Sequence, residues 1–483
     1  MSGTYLSRRR FLSLSARVAL GFALVGLPRK GRASGIPSFG QVLRQVRQAH
    51  RRLSSFPRNP VAVAWDPEVT EYPSPDLLPY DREDNPVYPL VEKALMLLSP
   101  DEPENPLSGI INPGDSVVIK PNFCTVANYP LPVTHPSVLV PIVDYAVKAG
   151  ASKITIAEGP IDYRHGLLIF RRPYTNVKDL VSFLRARYPA VEISFKDTNF
   201  DRFRWIILGE HSELKKYKPE NLYRPGFKKV TEDVFYYAQD VGGFCPEGYR
   251  IGCYAIAQTF LDCNCLVSVP KLKTHDTTGI TIALKNMMGL NRSWMGDVLR
   301  DRVREFPGEW EESQYTRDVP HFGILEGEIE DVLDSPQAVR FLNFENDVLW
   351  RSLADLNKIV LYADGEGRLH PEPQRRLLIV VDGIVGGEGD GPTSVSPRAS
   401  GVIVVGHDPV GVDGVCLRVM GWDPDVIRLV TNCGQVEDHP VGRMVSLDES
   451  LVGEEPDFGV FGGFYLPPRT YSDEVIAPYS VRG

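Results

Sequence analysis

The stretch 115–160 restricts the possible folds more than any other part of the sequence. It begins with an apolar, β-branched strand, DSVVIKPN at 115–122, and ends with a second one, KITIAEGP at 153–160. Between them, HPSVLVPIVDYAVKAGA at 135–151 carries apolar residues at helical spacing, with Gly150 at the position of a C-cap. A strand, a helix and a second strand in this order form a crossover unit, in which the two strands run parallel.

Three later segments repeat this pattern. CLVSVPKL at 265–272 predicts a strand leading into a helix near 279–288, and RLLIVVDGIVGG at 376–387 predicts a strand ending in an acidic turn. The segment 401–421 predicts a strand, a turn and a helix, and VAVAW at 61–65 predicts a first strand. We therefore predict an α/β fold with a mainly parallel, Rossmann-like sheet and helices on both of its faces.

A chain of 483 residues is long enough for one large elaborated domain or for two. We expect the α/β domain to span residues 59–435, followed by a C-terminal extension at 436–483. Two long polar segments, at about 161–262 and 292–370, interrupt the strand pattern. We interpret them as insertions that form a cap or subdomain over the core.

The N-terminus has the features of an export signal. SRRRFLSLS at 7–15 resembles a twin-arginine motif, and the apolar stretch 18–27 is shorter than the roughly 20 residues that cross a bilayer. We therefore expect a twin-arginine signal peptide at 1–33, cleaved near Ala33, whereas an uncut N-terminal anchor is the alternative. An N-terminal basic amphipathic helix is expected at 34–58.

Such a signal predicts a periplasmic or other extracytoplasmic location, with the twin-arginine translocase as a partner and no stable transmembrane anchor. The route carries folded proteins, which favours a metal or cofactor inserted before export. The net charge of the chain is −9, and loss of the seven basic side chains of the signal peptide takes it to −16. A surface this acidic argues against nucleic acids and anionic membranes as partners.

The cysteines give no recognisable cofactor motif. No C-x-x-C pair, c-type haem motif or ferredoxin-type iron–sulfur spacing is present among the seven. Cys263 and Cys265 lie in a strand-like context where buried free thiols are more common than a metal pair. A disulfide between Cys245 and Cys253 is conceivable after export, and the odd count leaves at least one thiol outside any intramolecular disulfide.

Polar or ionisable residues follow five of the predicted strands. Ligands of open α/β sheets bind beyond the carboxyl ends of the strands, so a shared pocket is favoured over five unrelated solvated turns. The residues at these positions are Lys120, Asn122, Glu158, Lys271, Lys273, His275, Asp382, His407 and Asp408.

The segment VPKLKTHDTTGITIALKNMMGL at 269–290 indicates what this pocket binds. If the chain is extended, Lys271, Lys273 and His275 share one face. DTTG at 276–279 offers N-cap residues to the predicted helix, whose free N–H groups attract anions. We therefore predict an anion pocket, although the lysines are also compatible with structural ion pairs to nearby carboxylates such as Glu158 and Asp382.

The candidate catalytic residues are His275, as general acid or base, with Lys273 and Lys285. Lys285 points either over the pocket or into solvent. GGEGDGP at 386–392 lacks the GK[ST] of a phosphate-binding P-loop, and is either a backbone that approaches the ligand or a surface loop. The candidate ligand-binding residues are Lys120, Asn122, Lys271, Thr274, Asn286, Gly389 and Gly391.

Carboxylates at the strand ends are candidate ligands of a divalent metal, namely Glu158, Asp382 and Asp408, with the two histidines His275 and His407 as further donors. The sequence has no H-E-x-x-H or other compact spacing of ligands. A metal would therefore be held by residues from distant strands.

Five segments resemble the domain-of-unknown-function family 362, DUF362, of bacteria and archaea. Together they span about residues 60–435, and the resemblance implies no settled reaction. Many relatives carry a ferredoxin-type cysteine cluster, which this chain lacks, so an iron–sulfur role is not carried over. The segments are VVIKPNF (117–123), THPSVLVPIVDYAVKAGASKITIAEGP (134–160), VSVPKLKTHDTTGITIALKNMMG (267–289), IVVDGIVGGEGDGP (379–392) and VIVVGHDPVGVDGVCLRVMG (402–421).

The sequence thus predicts an exported enzyme of undetermined reaction that acts on a small anionic molecule, a carboxylate or a phosphate, with metal assistance left open. The alternative is a non-catalytic periplasmic protein that binds a ligand, metal or cofactor or serves in maturation. A redox component is disfavoured, because the sequence has neither a cysteine cluster nor a haem motif.

Overall fold

The computed structural model describes residues 59–72, 84–124, 133–160, 177–216, 252–291, 349–444, 451–453 and 465–468. The expected signal peptide, the N-terminal helix and Cys245 lie outside these residues, so the disulfide considered between Cys245 and Cys253 is not tested. No helix in the described ranges has the length and apolar character needed to cross a membrane.

Most of the strands form one large sheet. Its order is β12-β1-β11-β10-β7-β2-β3-β4, with β8 pairing to β10 and β9 pairing to β8, while β5 and β6 form a separate pair. The strands are β1 (Val61–Trp65), β2 (Ser116–Pro121), β3 (Lys153–Glu158), β4 (Glu192–Asp197), β5 (Phe203–Ile207), β6 (Cys253–Ala257), β7 (Cys265–Val269), β8 (Lys271–His275), β9 (Gly279–Thr281), β10 (Arg376–Glu388), β11 (Ser396–Gly406) and β12 (Leu451–Gly453).

The sheet is mainly parallel, as predicted. β10, β7, β2, β3 and β4 run parallel to their neighbours in that order, and β8 runs parallel to β10. The exception at the centre is β11, which is antiparallel to both β1 and β10.

Helices cover both faces, which confirms the predicted fold class. Successive residues of β2 belong to different cores. Val117 and Ile119 pack with the helices at 87–98, 139–148 and 177–187, whereas Val118 packs with the helices between residues 283 and 433. The helices are α1 (Val87–Leu98), α2 (Leu139–Lys148), α3 (Val177–Arg187), α4 (Gln258–Leu261), α5 (Ala283–Asn286), α6 (Leu349–Tyr362), α7 (Pro409–Val419) and α8 (Arg428–Cys433).

The crossover unit at 115–160 is present as β2, α2 and β3. The predicted glycine just beyond the helix, Gly150, has a φ of 94°. This is the left-handed conformation that ends many helices and that glycine adopts without a steric cost. A side chain there would also place its Cβ 2.9 Å from the Cα of Pro113.

The helix predicted near 279–288 is wrong in its start and length. Gly279–Thr281 forms β9, antiparallel to β8, and α5 begins only at Ala283. The carboxylate of Asp413 in α7 accepts the N–H groups of Ala283 at 2.7 Å and Leu284 at 3.2 Å. A protein carboxylate therefore already takes the helix-start N–H groups that were expected to attract an anionic ligand.

The segment 161–262 is not a cap throughout. α3 packs against the same core as α2, and β4 extends the main sheet, pairing in parallel with β3 from Lys153↔Glu192 to Glu158↔Asp197. β4 lies at the edge and is largely half-exposed, which explains its polar sequence. In the second segment, α6 buries residues such as Leu353 and Leu356 in the core.

The predicted acidic turn at Asp382 is also wrong, because β10 continues to Glu388. Lys271 of β8 faces Asp382, and Lys273 faces Gly387. Between these two paired positions the chain advances by two residues along β8 and by five along β10, so β10 contains a bulge there. Glycine permits the close approach, since a Cβ on Gly383 would lie 2.9 Å from the Leu272 side chain.

Candidate functional site

Lys271 lies in a buried network with a carboxylate and a phenol. Its Nζ donates to Oδ2 of Asp382 at 3.1 Å and to Oη of Tyr72 at 2.5 Å. Tyr72 donates to Oδ1 of Asp382 at 2.6 Å, and the backbone N–H of His135 donates to Oδ2 at 2.9 Å. Burial lowers the pKa of Lys271, and the charge of Asp382 opposes this shift. The structural ion pair that the sequence left open is therefore formed between Lys271 and Asp382.

A second buried ion pair joins β2 to β3. Nζ of Lys120 lies 2.6 Å from Oε1 of Glu158, and both side chains are almost fully buried. Glu158 also accepts the backbone N–H groups of Phe123 at 3.0 Å and Gly159 at 2.8 Å. A methyl group on Gly289 would collide with this carboxylate, so the pair is packed directly against backbone. The partner of Glu158 is Lys120 rather than Lys271 or Lys273.

Lys273 follows Lys271 by two residues on β8 and is fully buried. Its Nζ approaches Oδ1 of Asn122 at 3.4 Å, the carbonyl oxygen of Pro392 at 3.2 Å and Sγ of Cys124 at 3.7 Å. Burial lowers the pKa of Lys273, whereas the neighbouring Cys124 and Glu158 favour its charged form. Cys124 is a free, partly exposed thiol, so solvent reaches this side of the cluster.

Asn286 ties α5 to the strand ends. Its Nδ2 donates to Oγ of Ser268 at 2.9 Å and to the carbonyl oxygen of Lys120 at 3.2 Å, and its Oδ1 accepts from Nδ2 of Asn122 at 3.4 Å. These amides join residues from β2, β7 and α5 in one hydrogen-bonded group.

His275 is buried and neutral at pH 7. Its Nδ1 accepts the N–H of Thr277 at 3.0 Å, which assigns the ring proton to Nε2. Oδ1 of Asp276 lies 3.1 Å from the same nitrogen, but a nitrogen that is already an acceptor has no proton to give it. Burial and, after it, the charge of the Lys285 ammonium lower the pKa of His275 to about 4. This pKa is too low for the general acid or base that the sequence predicts at this position to act efficiently at neutral pH.

Lys285 is buried, with an exposed fraction of 7%. Burial raises the pKa of Asp276, but its contacts with His275 and Thr277, together with the charge of Lys285, lower it overall. The charge of Lys285 also lowers the pKa of His275, in addition to the larger effect of burial. Of the two orientations considered for Lys285, the one toward the end of β8 is therefore present.

Gly389 and Gly391 lie against β8. The hydroxyl of Thr274 donates to the carbonyl oxygen of Gly389 at 2.7 Å, and the N–H of Asp276 donates to that of Gly391 at 3.1 Å. Gly389 has a φ of 82°, and a methyl group on Gly391 would collide with the Thr274 carbonyl group. The glycines therefore allow two backbones to touch, a role that the sequence did not reveal.

The three carboxylates considered for a metal do not converge. Glu158 pairs with Lys120, and Asp382 pairs with Lys271. Asp408 caps α7 by accepting the N–H groups of Val410 and Gly411 at 2.9 Å, and it also binds Asn59 and Arg443. Within the described ranges these residues do not form a group that could hold a metal ion.

His407, Cys263 and Cys265, the other residues considered as metal ligands, lie in surroundings typical of a structural role. Nδ1 of His407 bonds to the carbonyl oxygen of Leu377 at 2.9 Å. Cys263 and Cys265 are buried free thiols, and burial raises their pKa values to about 11 and about 12.

Sequence reasoning missed Tyr72, His135 and Cys124. Tyr72 comes from the acidic, proline-rich stretch at 66–89, and its ring stacks on that of His135 at a centroid distance of 4.1 Å. Burial lowers the pKa of His135 to about 3. The sequence offered one indication of His135: Thr134 and His135 lie in the loop just before α2, and loops commonly carry functional residues.

The described residues thus form one buried polar cluster at the carboxyl ends of the parallel strands. Amines, amides and carboxylates contributed by β2, β3, β8, β10 and α5 contact one another there. Such a cluster supplies hydrogen-bond donors suited to carboxylate or phosphate oxygens. It also contains two amines whose pKa values are lowered by burial, a property common at functional sites.

Comparisons with known proteins identify the family to which the chain belongs. A crystal structure of a Thermotoga maritima protein, determined by the Northeast Structural Genomics Consortium, matches with a TM-score of 0.32 and 11% identity, over 71% of this chain and 59% of that one. No curated protein matches the sequence. The profile of the family described as "Domain of unknown function (DUF362)" matches residues 177–418, half of the chain. The chain therefore belongs to the DUF362 family.

Proposed function

We propose that this protein is an exported enzyme that acts on a small anionic molecule, a carboxylate or a phosphate, at the carboxyl ends of the parallel strands. The observation that carries the proposal is the position of the Lys273 amine. It is fully buried at the sheet edge, within reach of an amide oxygen, a carbonyl oxygen and the partly exposed thiol of Cys124. A buried ammonium beside a solvent-accessible group is a suitable partner for an incoming oxyanion.

In this proposal Lys273 and Lys285 hold the anion, and Asn122 and Asn286 orient it. His275 is neutral and carries its proton on Nε2, so it acts by donating a hydrogen bond rather than as an imidazolium. Burial lowers the pKa of Lys273, which eases the loss of its proton and so suits a role in proton transfer with the ligand. Lys271 and Lys120, each paired with a carboxylate, position the strands.

A second candidate is a non-catalytic protein that binds a ligand or cofactor or serves in maturation. The buried state of His275 favours it, because a pKa of about 4 is far from the range in which histidine transfers protons at neutral pH. The same lysines would then bind the anion without turnover.

The proposal includes export of the protein from the cytoplasm. The twin arginines Arg8 and Arg9, followed by a short apolar stretch and no acidic residue before position 34, support twin-arginine export to the periplasm or its equivalent. The acidic net charge of −9 supports a small molecule, rather than nucleic acid, as the ligand.

The test is calorimetric titration of the mature, tag-free protein with inorganic phosphate, acetate and oxalate. Removal of one charged hydrogen-bond donor costs about 1.5–3 kcal/mol, so Lys273→Met should weaken binding of the accepted anion by roughly 10- to 100-fold. Lys153→Met is the matched control, because Lys153 lies on β3 with a 45% exposed side chain in a surface pair with Glu192. Equal affinity in wild type and Lys273→Met, or no binding of any of these anions, would refute the site.

Turnover distinguishes the two candidates. The bound anion is followed by NMR over several hours, with Lys153→Met again as the reference. Chemical conversion that is lost in Lys273→Met supports the enzyme. Binding that depends on Lys273 without conversion supports the binding protein.

A further inference from the structure

Two histidines and an aspartate outside the strand-end cluster bring their ligand atoms together. His211 ends a short turn after β5, whereas Asp438 and His439 follow α8. Nδ1 of His211 lies 2.9 Å from Oδ2 of Asp438, and Nδ1 of His439 lies 2.8 Å from Oδ1. One ligand atom from each residue lies within 4.8 Å of the others, and this is the one such group in the described part of the chain.

We propose that His211, Asp438 and His439 bind a divalent transition-metal ion of the zinc type, through the Nδ1 of each imidazole and one carboxylate oxygen. Zinc binds histidine nitrogen at about 2.0–2.1 Å and carboxylate oxygen at about 2.0–2.2 Å in a tetrahedron, which places ligand atoms about 3.3 Å apart. The separations of 2.9 Å and 2.8 Å between each Nδ1 and its nearest carboxylate oxygen are a few tenths of an ångström below this value. Each imidazole then carries its proton on Nε2, leaving the Nδ1 lone pair for the ion.

The backbone and the surrounding side chains hold both imidazoles in place. His439 has a φ of 52°, the one positive value at a non-glycine residue in the described ranges. Such strain persists where the surroundings impose it, and it is concentrated at functional sites. The rings of Tyr362 and His211 contact His439 edge to face at 5.0 Å and 4.9 Å, and Tyr362 donates to the carbonyl oxygen of Pro440 at 2.8 Å. These contacts orient the ligands as a supporting shell does in metal sites.

The charges near the group are compatible with a cation. Nζ of Lys358 lies 4.0 Å from Oδ2 of Asp438, but it is closer to Oε1 of Glu213, at 2.8 Å, and to the carbonyl oxygen of His211, at 2.6 Å. Glu213, whose Oε1 also accepts from Lys216 at 2.7 Å, is thus the nearest counter-charge of the buried ammonium, which anchors the backbone of His211. The Asp438 carboxylate is left to the two imidazoles.

The site is open on one side. The side chain of His211 is 51% exposed, and Asp438 lines a cavity of about 640 Å³ together with Glu213, Trp350, Arg351 and Asn432. Structural zinc sites use four protein ligands, whereas catalytic ones use three and leave one position for water or substrate. Three ligands beside a cavity match the second class, with Arg351 placed to attract an anionic molecule into it.

The experiment is titration of the tag-free, chelator-treated protein with Zn²⁺, followed by calorimetry, and with Co²⁺, whose visible absorption reports coordination number. One equivalent should bind, and loss of any one ligand should weaken affinity by more than about tenfold. The variants are His211→Ala, Asp438→Asn and His439→Asn. The His211 side chain is exposed, so its removal should not disturb folding, and asparagine is chosen at position 439 because it tolerates a positive φ.

The matched control is His370→Ala, since His370 also bonds an aspartate, Asp364, at 2.9 Å but belongs to no such group. Thermal melts without metal show that each variant is folded, and His211→Ala remains interpretable if the other two are not. Binding that is lost in the ligand variants and kept in the control supports the site. Absence of a stoichiometric equivalent, unchanged affinity in His211→Ala, or equal loss in His370→Ala overturns it. None of these outcomes depends on the proposed anion site.

Discussion

Lys271 and Asp382 form an ion pair of 3.1 Å in which both side chains have no solvent exposure. Tyr72 and the backbone of His135 complete the hydrogen bonding of the carboxylate. A buried pair of this kind contributes little net stability, because the desolvation of both charges offsets their attraction. Its importance lies in what happens when one partner is removed.

We predict that Asp382→Asn destabilises the protein by about 3–5 kcal/mol, since it leaves the Lys271 ammonium buried without its counter-charge. Urea unfolding at pH 7 measures this. The double variant Lys271→Met/Asp382→Asn should be more stable than Asp382→Asn alone. If the double variant instead lost the sum of the two single effects, the two groups would not be coupled.

Gly289→Ala should destabilise the protein by about 1–3 kcal/mol, because its methyl group collides with the Glu158 carboxylate and would lie 2.9 Å from Nζ of Lys120. The control is Gly109→Ala, where no atom lies within 4 Å of the added Cβ. Both variants are compared by thermal and urea unfolding. Equal stability of Gly289→Ala and Gly109→Ala would contradict the close packing of the Lys120–Glu158 pair.

The buried histidines predict a loss of stability in acid. Because the pKa of His275 is lowered from 6.5 to about 4, the unfolded chain binds its proton first as pH falls. The stabilisation is therefore fully present above pH 6.5 and is lost as pH falls from 6.5 through 4, by about 2 kcal/mol between pH 7 and pH 5. Urea unfolding at these two pH values should show a smaller difference in His275→Gln than in wild type. An unchanged difference would mean that His275 is not buried as a neutral group.

Thiol labelling reports on the anion site. Cys124 is partly exposed, whereas Cys263, Cys265, Cys416 and Cys433 are buried and have raised pKa values. Among these five, iodoacetamide should modify Cys124 first, as peptide mass spectrometry will show. An anion held by Lys273, 3.7 Å from this sulfur, should slow the modification. Labelling that stays equally fast at saturating anion would place the ligand elsewhere.

The export signal is tested by replacing Arg8 and Arg9 with lysine. The charge is kept, so only a receptor that requires the arginine pair distinguishes the variant. We expect the wild-type protein in the periplasmic fraction and the variant in the cytoplasm of a host with a twin-arginine translocase. Equal export of both would exclude this route.

Much of the fold follows from local pattern. The β2–α2–β3 unit was predictable because the middle of each strand is mostly apolar and its helix has a clear apolar stripe and a glycine at its end. β4 was not, because an edge strand is half-exposed and its sequence EISFKD is polar. The helix near 279–288 failed for a different reason: the cap of α5 comes from Asp413, about 130 residues away in the sequence.

The candidate site was predictable in the same partial way. The rule that strand ends form a common edge predicted that Asn122 and Lys273 lie close together, and they are 3.4 Å apart. Pairing was not predictable, because which carboxylate meets which lysine depends on strand order and on side-chain direction. Tyr72 illustrates the limit, since nothing local in an acidic stretch indicates a phenol 2.6 Å from Asp382.

The bulge in β10 separates the strand residues that contact Lys271 from those that contact Lys273. The distance from Lys271 to Lys273 along the chain is constant, but their partners on β10 are five residues apart, at Asp382 and Gly387. A residue inserted or deleted between Gly383 and Gly386 would keep Lys271 beside its carboxylate while giving Lys273 a new neighbour. The surroundings of Lys273, the proposed ligand-binding lysine, can therefore change while the buried pair of Lys271 with Asp382 is kept, through a change in the length of β10.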